Sequence, residues 1–192
     1  MPKNVWLLPF VPVVLGATPV PLTVHLSLKN NQGSRLVEAG VAMSNSRFAR
    51  AGVRFQVARW AHFVAPGPEI TSVAERNALA RRVTRDGAIH LFMVERLADK
   101  DRSGSWIGGV HWRHRGRRYV IVSRRDARPD TLAHELGHWF GLKHEKKSNN
   151  LMTSPGRRDG ARLGPGQTAR VRARLRVLIR QGLLKPVPGP AH

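Results

Sequence analysis

Apolar and polar residues alternate along several short segments of the chain. In residues 21–28 aliphatic side chains alternate with polar ones, which predicts a half-buried strand with His25 on its exposed face. Residues 53–60 alternate in the same way, and residues 118–123 predict a further strand. Residues 88–94 are almost continuously apolar, which indicates a central strand that is buried on both faces.

Four longer segments are predicted to be helices. Residues 35–51 keep a 3.6-residue apolar period up to Gly52, where we expect the helix to end. Residues 72–84 follow a serine or threonine cap and carry an acidic residue in the first turn, both of which favour a helix. Residues 130–141 and 168–184 are the remaining two predicted helices.

The last of these segments, residues 168–184, has two interpretations. Its apolar residues alternate with arginines, as they would in a strand. Its alanine, leucine and arginine content and the preceding Pro165 favour a helix instead. In a helix, Arg172, Arg176 and Arg180 line one face, which we expect to be solvated.

The order of strands and helices predicts a single α/β domain in which a sheet carries helices. We assign this domain to residues 21–185, with an N-terminal part at 21–141 and an irregular C-terminal part at 142–185. Residues 186–192 form a tail. Residues 1–20 contain a lysine followed by an apolar stretch, which fits either an export signal or an N-terminal arm.

The chain carries a large excess of positive charge and no cysteine. Its 192 residues include 33 lysines and arginines against 12 acidic residues, a formal net charge of +21. The arginines are spread from Arg35 to Arg180, so we interpret them as a solvated surface, with a polyanion-binding face as the alternative. The lack of cysteine excludes disulfides, thiolate-bound zinc and a cysteine nucleophile. No segment has the roughly 20 uninterrupted apolar residues of a membrane span.

The run HELGHWFGLKH places three histidines and a glutamate at the spacing of a metal site. His134 and His138 are one helical turn apart, so both imidazoles can hold one ion. Glu135 is rotated about 100° from His134 and can reach a water at the metal without being a ligand. Gly141 lets the chain leave the helix and bring His144 back as a third ligand. Three nitrogens that leave a fourth position open are typical of catalytic zinc.

This run resembles the extended zinc motif of the metzincin metallopeptidases. The resemblance implies an α+β, zincin-type fold: a twisted mixed sheet with a backing helix and an active-site helix, then a small irregular C-terminal part that ends in a helix. It also implies that Met152, eight residues after His144, forms the methionine turn beneath the metal. Members of the family bind peptides along an exposed strand edge. Our candidates for that edge are Gly108, Gly109 and Val110, with an ordinary glycine turn as the alternative.

The chain departs from some branches of this family. Certain metzincins carry a tyrosine two residues after the turn methionine, where this chain has Ser154, and its single tyrosine is Tyr119. Archaeal-type members add cysteines for a second zinc; this chain has none, so we do not expect it to belong to that branch. The motif therefore leaves the subfamily unassigned.

The polar, basic segment 97–117 predicts a long loop with one edge strand at 106–112. Two weaker metal patterns lie within it, formed by Asp99, Asp101, Ser103 and Gly104 and by His111 with His114. The first resembles a calcium loop, but Val110 stands at the twelfth position, where that loop needs glutamate. We therefore expect one catalytic zinc ion, and neither calcium nor a second zinc.

Together these residues predict a zinc-dependent endopeptidase in which zinc activates a water and Glu135 serves as general base and then acid. Two alternatives stay open: a basic polyanion-binding protein with a structural or vestigial zinc site, and a zinc amidase that acts on cell-wall peptide. We expect a protein or peptide substrate, non-specific contact with acidic polymers, and a monomer. We also expect export to the envelope or the medium, with the cytoplasm as the alternative.

Overall fold

The computed structural model of the chain describes residues 16–27, 33–63, 69–153 and 161–187. Within them the strands are β1 (Thr18–Ser27), β2 (Val53–Phe63), β3 (Glu69–Ile70), β4 (Ile89–Val94), β5 (Arg96–Leu97), β6 (Gly109–His114) and β7 (Arg117–Ser123). Five of them form one twisted sheet in the order β2-β1-β4-β7-β6. Neighbouring strands are parallel, except that the edge strand β6 runs antiparallel to β7. The short strands β3 and β5 pair separately.

The helices in these residues are α1 (Gly33–Phe48), α2 (Val73–Ala78), α3 (Thr131–Trp139) and α4 (Pro165–Arg180). Single turns of 3-10 helix extend α1 to Ala51 and α2 to Arg82. Gly52 ends the first of these extensions in the left-handed conformation, with a φ of 67°, as predicted. In the described ranges, no helix combines the length and the apolar character that a membrane crossing requires.

One face of the sheet packs against α1, α3 and α4. Aliphatic side chains of β1, β4 and β7 form its core with helix residues such as Val37, Leu132 and Leu175. Helices α1 and α3 approach closely at Gly40, where a Cβ atom would lie 3.2 Å from the Leu132 side chain. Burial of apolar surface, at roughly 25 cal/mol per Å², is what holds α3 against the sheet.

The opposite face of the sheet is covered as well, so the prediction that His25 lies on the surface was wrong. A second core there contains Phe63, Phe92 and Tyr119, together with Leu79 from the 3-10 turn after α2. His25 is only 6% exposed, and its ring stacks on Phe92 with the centroids 4.3 Å apart. Strand β1 is therefore buried on both faces, as β4 was predicted to be and is.

Local turn geometry moves the boundary of the edge strand. The edge strand was predicted at 106–112, and β6 runs from Gly109 to His114. Arg115 and Gly116 then both adopt positive φ values, 47° and 72°, which suit a two-residue hairpin turn into β7. The edge strand is thus shifted towards the hairpin turn: it starts three residues later and ends two residues later than predicted.

Two of the predicted helices also differ in extent. The helix expected at 72–84 begins with a capping box of Ser72 and Glu75 but keeps α-helical form only to Ala78. The segment expected at 168–184 is a helix, and it starts at Pro165, where the missing N–H of proline carries no penalty.

Some expectations concern residues outside the described ranges. These residues are 1–15, which include most of the apolar start, Ser154 within the segment 154–160, and the last five residues, 188–192.

Candidate metal centre and active site

The helix that carries the histidine motif, α3, is locked in place at its start. The Arg128 N–H donates to Thr131 Oγ1 at 2.8 Å, and the Thr131 N–H donates to the Arg128 carbonyl at 3.0 Å. Every residue from Thr131 to Gly137 is buried, since α3 packs on α1 and on the strands β6 and β7. This burial holds the first histidine and the glutamate of the motif in one orientation.

The chain leaves α3 through a C-terminal turn centred on Gly141. The Gly141 N–H donates to the His138 carbonyl at 2.9 Å, and the Leu142 N–H donates to the Gly137 carbonyl at 3.0 Å. Gly141 has a φ of 88°, which L-residues with a side chain rarely adopt. Both bonds together define a Schellman motif, and the turn brings His144 back towards the helix.

The three histidines converge on one point. The distance between Nε2 atoms is 3.1 Å for His134 and His138, 3.0 Å for His138 and His144, and 3.3 Å for His134 and His144. Among the described residues they form the one group of three or more ligand-type side chains close enough to share an ion. His134 is buried and His144 is exposed, so the group opens towards solvent on one side.

Backbone carbonyls orient the two helical imidazoles. His134 Nδ1 lies 2.8 Å from the Leu151 carbonyl, and His138 Nδ1 lies 2.8 Å from the Leu142 carbonyl. A carbonyl only accepts, so each Nδ1 carries the proton and each Nε2 presents a lone pair. Nitrogen ligands of a tetrahedral zinc at about 2.0–2.1 Å lie about 3.3 Å apart, so this donor set fits zinc.

A buried methionine lies directly beneath the histidine helix. Met152 is fully buried, and a Cβ atom added to Gly137 would lie 2.4 Å from its Sδ. The loop that carries it is held by Asn150, whose Oδ1 accepts from the Met152 N–H at 2.8 Å and whose amide donates to Gln167 of α4 at 2.9 Å. Helix α4 therefore supports the floor of the site through this loop.

The glutamate of the motif faces the edge strand. Glu135 Oε2 accepts a hydrogen bond from the His111 backbone N–H at 2.8 Å. This contact requires a glycine on β6, because a Cβ at Gly109 would lie 2.8 Å from Thr131 Cγ2 and 3.1 Å from Glu135 Cγ. A Cβ at Gly108 would similarly lie 2.8 Å from the Asp126 carbonyl. The two glycines thus let the strand approach α3.

The hydrogen bonds of β6 show which backbone groups its outer edge presents. The Ser123 N–H donates to the Gly108 carbonyl, so the even-numbered residues face β7, whereas the His111 N–H points away from it to Glu135. In an antiparallel ladder the N–H and C=O of one residue point to the same side. The outward groups are therefore those of Gly109, His111 and Arg113.

A cavity of about 780 Å³ joins the histidines to this edge. Its lining includes all three histidines and Glu135, and from β6 and the residue before it Gly108, Gly109, Val110, His111 and Arg113. The predicted substrate-binding residues thus lie beside the predicted metal ligands. The side chain of Val110, however, packs against the second core on the opposite face, so only its backbone borders the cavity.

Sequence reasoning did not assign His111 and Arg113 to the substrate edge. His111 Nε2 is buried and has no hydrogen-bond partner among the described residues. Burial, with the charges of Arg118 and Arg113 as further causes, lowers the pKa of His111 to about 3. The signal that could have found them is the alternation along the edge strand, which places every second residue from Gly109 on the side of α3.

Other singled-out residues lie elsewhere. His114 lies on the opposite face of β6 from His111, near Asn77 and Arg117. Tyr119 is buried in the second core and donates its hydroxyl proton to the Arg76 carbonyl at 2.7 Å. Asp99 accepts from the Asp101 N–H at 2.9 Å, and Asp101 pairs with Lys100 at 2.6 Å.

Comparison by sequence identifies no relative: no protein-family profile matches the chain, and no curated protein matches it. Comparison by structure finds several similar proteins. An archaemetzincin from Methanopyrus kandleri superposes with a TM-score of 0.60 over 86% of this chain and 99% of its own, at 17% identity. Metalloproteinase-II from Bacteroides fragilis gives a TM-score of 0.56 over 83% of this chain and 53% of its own, at 13% identity.

A zinc-dependent peptidase from Methanocorpusculum labreanum is similar with a TM-score of 0.51, over 78% of this chain and 99% of its own, at 14% identity. The chain thus spans nearly the whole length of the two archaeal proteins and about half of the Bacteroides protein. It also matches a chain in a chaperone–substrate complex, of which it spans 36%. At these identities the likeness defines the fold, which is that of zincin-like metallopeptidases.

Proposed function

We propose that this chain is a zinc-dependent endopeptidase of the metzincin type. One observation carries the proposal: three histidine Nε2 atoms lie within 3.3 Å of one another beside Glu135, on a cavity bordered by β6, which is the edge strand of the sheet in the described residues. The likeness to peptidases of known fold supports the same conclusion. The motif glycine at position 141 and the buried Met152 support the metzincin assignment in particular.

His134, His138 and His144 are the residues that would hold the metal. When bound there, zinc supplies a Lewis acid beside the scissile carbonyl. The carbonyl groups of Leu151 and Leu142 keep the two helical imidazoles in the tautomer that offers Nε2. The remaining steps depend on groups of the chain itself.

Glu135 is the proposed proton carrier. Its carboxylate removes a proton from the attacking water as the water oxygen bonds to the carbonyl carbon, and the same proton then passes to the leaving amide nitrogen as the C–N bond breaks. The His111 N–H holds the carboxylate at the wall of the cavity in this structure, so Glu135 is already placed between the edge strand and the histidines.

Strand β6 is the proposed binding edge for the peptide backbone. An extended peptide that pairs with the outward groups of Gly109 and Arg113 lies along the cavity in front of Glu135. The glycines have a structural part in this arrangement, since they bring the strand close enough to α3 for the edge and the carboxylate to meet.

The test compares the full chain with its Glu135→Gln variant, both loaded with zinc, on denatured casein read by mass spectrometry. The amide cannot accept the proton, so we expect a loss of activity of at least about a hundredfold, with zinc content and thermal stability retained. Wild-type protein that binds zinc but does not cut casein would overturn the endopeptidase proposal and favour the amidase or the polyanion-binding alternative. Equal cleavage by both proteins would show that Glu135 is not the general base and acid.

A further inference from the structure

Two arginines stand directly opposite each other on the strands beside the cavity. Arg113 of β6 pairs in register with Arg118 of β7, so their side chains leave the same face of the sheet. Like charges at such positions repel each other and destabilise the pairing. Arg174 of α4 is a third positive charge close to Arg118. Burial, followed by the charges of Arg113 and Arg174, lowers the pKa of Arg118 to about 10.

These three arginines have no acidic partner among the described residues. The ion pairs found there involve Asp86, Glu95, Asp101 and Asp126 with other cations. Arg118 instead donates to the Trp139 carbonyl at 2.8 Å and lies over the Trp139 ring, 4.3 Å from its centroid. The cluster of Arg113, Arg118 and Arg174 is therefore a concentration of positive charge that no acidic residue of the described ranges neutralises.

The cluster lies on the active-site side of the sheet. The side chains of Val110 and Trp112 pack against the second core, so those of His111 and Arg113 project to the face that carries α3. Arg113 is exposed and lines the same cavity as the three histidines, whereas Arg118 of the neighbouring strand, half-buried over the Trp139 ring, is not part of that lining. A ligand in the cavity reaches Arg113 first.

The register of β6 places this charge on one side of the reacting bond. A peptide antiparallel to β6 runs from the Arg113 end towards the Gly109 end, and residues directly opposite each other share a face. Glu135 contacts the strand at Gly109 and His111. The peptide residue opposite Arg113 therefore precedes the residues at the reacting groups by two to four positions.

We propose that the cleft selects peptides with an acidic side chain two to four residues before the cleaved bond, bound by Arg113 with Arg118 behind it. This inference rests on the proposed endopeptidase function and deepens it to a substrate class. A carboxylate opposite Arg113 makes a charge-assisted hydrogen bond and screens the repulsion between the two arginines. Selectivity of this kind weakens as salt is added, because Arg113 is exposed.

The experiment digests a random-sequence peptide library with the zinc-loaded full chain and locates the cuts by mass spectrometry. We expect aspartate and glutamate to be enriched about tenfold at one of the positions two to four residues before the cut, and not after it. The Arg113→Glu variant should reverse the preference towards lysine and arginine. Arg35→Glu, the same charge change on the exposed side of α1, should leave the profile unchanged.

Cleavage without acidic enrichment at these positions, or with the same enrichment in Arg113→Glu, overturns the inference while the endopeptidase function stands. If no library peptide is cut, the proposed function fails, and binding decides the inference separately. Fluorescence anisotropy then compares an aspartate-containing labelled peptide with its asparagine-matched partner on the Glu135→Gln variant. The inference is supported if the aspartate peptide binds more tightly than the asparagine peptide and if this difference is lost when Arg113→Glu is added. Equal binding of the two peptides overturns it.

Discussion

Two groups of close histidines lie on opposite faces of the sheet in the described part of the chain, and they differ in where their ring nitrogens point. In the α3 group, His134 and His138 direct Nδ1 to backbone carbonyls, and their Nε2 atoms converge with that of His144. In the second group, His25 Nε2 lies 2.9 Å from His90 Nδ1, and both residues are buried.

The second group forms a linear series of hydrogen bonds, from His25 through His90 to Asp86. His90 uses its other nitrogen on Asp86 at 3.2 Å, so each ring passes its hydrogen bond to the next group and no set of lone pairs meets at a point. Close histidines therefore do not by themselves form a set of metal ligands. Carbonyl acceptors behind the rings, which leave the opposite nitrogens facing a cavity, make the difference.

The largest expected effect is on the stabilisation of the protein by zinc, which should depend on the α3 histidines and not on the second group. His144→Ala removes one convergent ligand at an exposed position, so the zinc-free protein should keep its stability. Zinc at about 1,000 times its dissociation constant should stabilise the wild type by about 4 kcal/mol and should not stabilise this variant. Urea unfolding with and without zinc, together with metal content after dialysis, measures the effect.

His25→Gln is the control for that experiment, because it changes a histidine on the opposite face of the sheet. It should keep the full stabilisation by zinc. A His144→Ala protein that zinc stabilises as strongly as the wild type would refute the assignment of His144 as a ligand.

A smaller effect tests the support beneath the α3 group. Gly137→Ala puts a methyl group where a Cβ lies 2.4 Å from Met152 Sδ, so we expect a loss of up to about 3 kcal/mol in the free energy of unfolding. Combined with Met152→Ala, which costs stability of its own, Gly137→Ala should cost less than it does alone, because the obstacle is gone. Denaturant unfolding of the zinc-free proteins measures both values.

Gly166→Ala in α4 is the matched control, since a Cβ there has no neighbour within 4 Å. It should be neutral or stabilise the protein by up to about 1 kcal/mol. Equal effects at positions 137 and 166 would show that Met152 does not press against α3.

The smallest expected effect is the pH response of the buried group. Burial, then the charges of His90, Arg82 and Arg59, lower the pKa of His25 to about 4, against the opposing effect of Asp86. The unfolded chain therefore binds the proton first, and the stability that neutral His25 contributes is complete above about pH 6.5 and declines as the pH falls towards 4. Between pH 7.5 and 5 we expect His25 to account for a loss of about 2 kcal/mol.

Urea unfolding across this range, compared between wild type and His25→Gln, measures the contribution of that one residue. The variant should lose less stability on acidification, because an amide does not titrate. Parallel pH profiles for the two proteins would contradict the buried, neutral state of His25.

Much of the candidate site could be predicted because its geometry is local. The one-turn spacing of His134 and His138 and the need for Gly141 at the helix end follow from backbone geometry within a few residues. The same holds for the cap of α2 at Ser72 and for the apolar strand β4. Short-range sterics and periodicity decide these features, and the folded structure contains all of them.

The remainder depended on which segments pack together over long sequence distances. The surface assignment of His25 failed because residues 38 or more positions later, from Phe63 onward, cover that face of the sheet. The contact between Glu135 and His111, 24 residues apart, and the opposition of Arg113 and Arg118 arise from strand register and helix docking.

Local sequence patterns were thus enough to single out the three histidines, Glu135 and the helix and turn that carry them. The packing of distant segments set which elements cover the two faces of β1, which backbone groups of β6 face the cavity and where positive charge collects beside it. A helical turn is specified by neighbours three or four residues away, whereas burial and strand register depend on the whole domain.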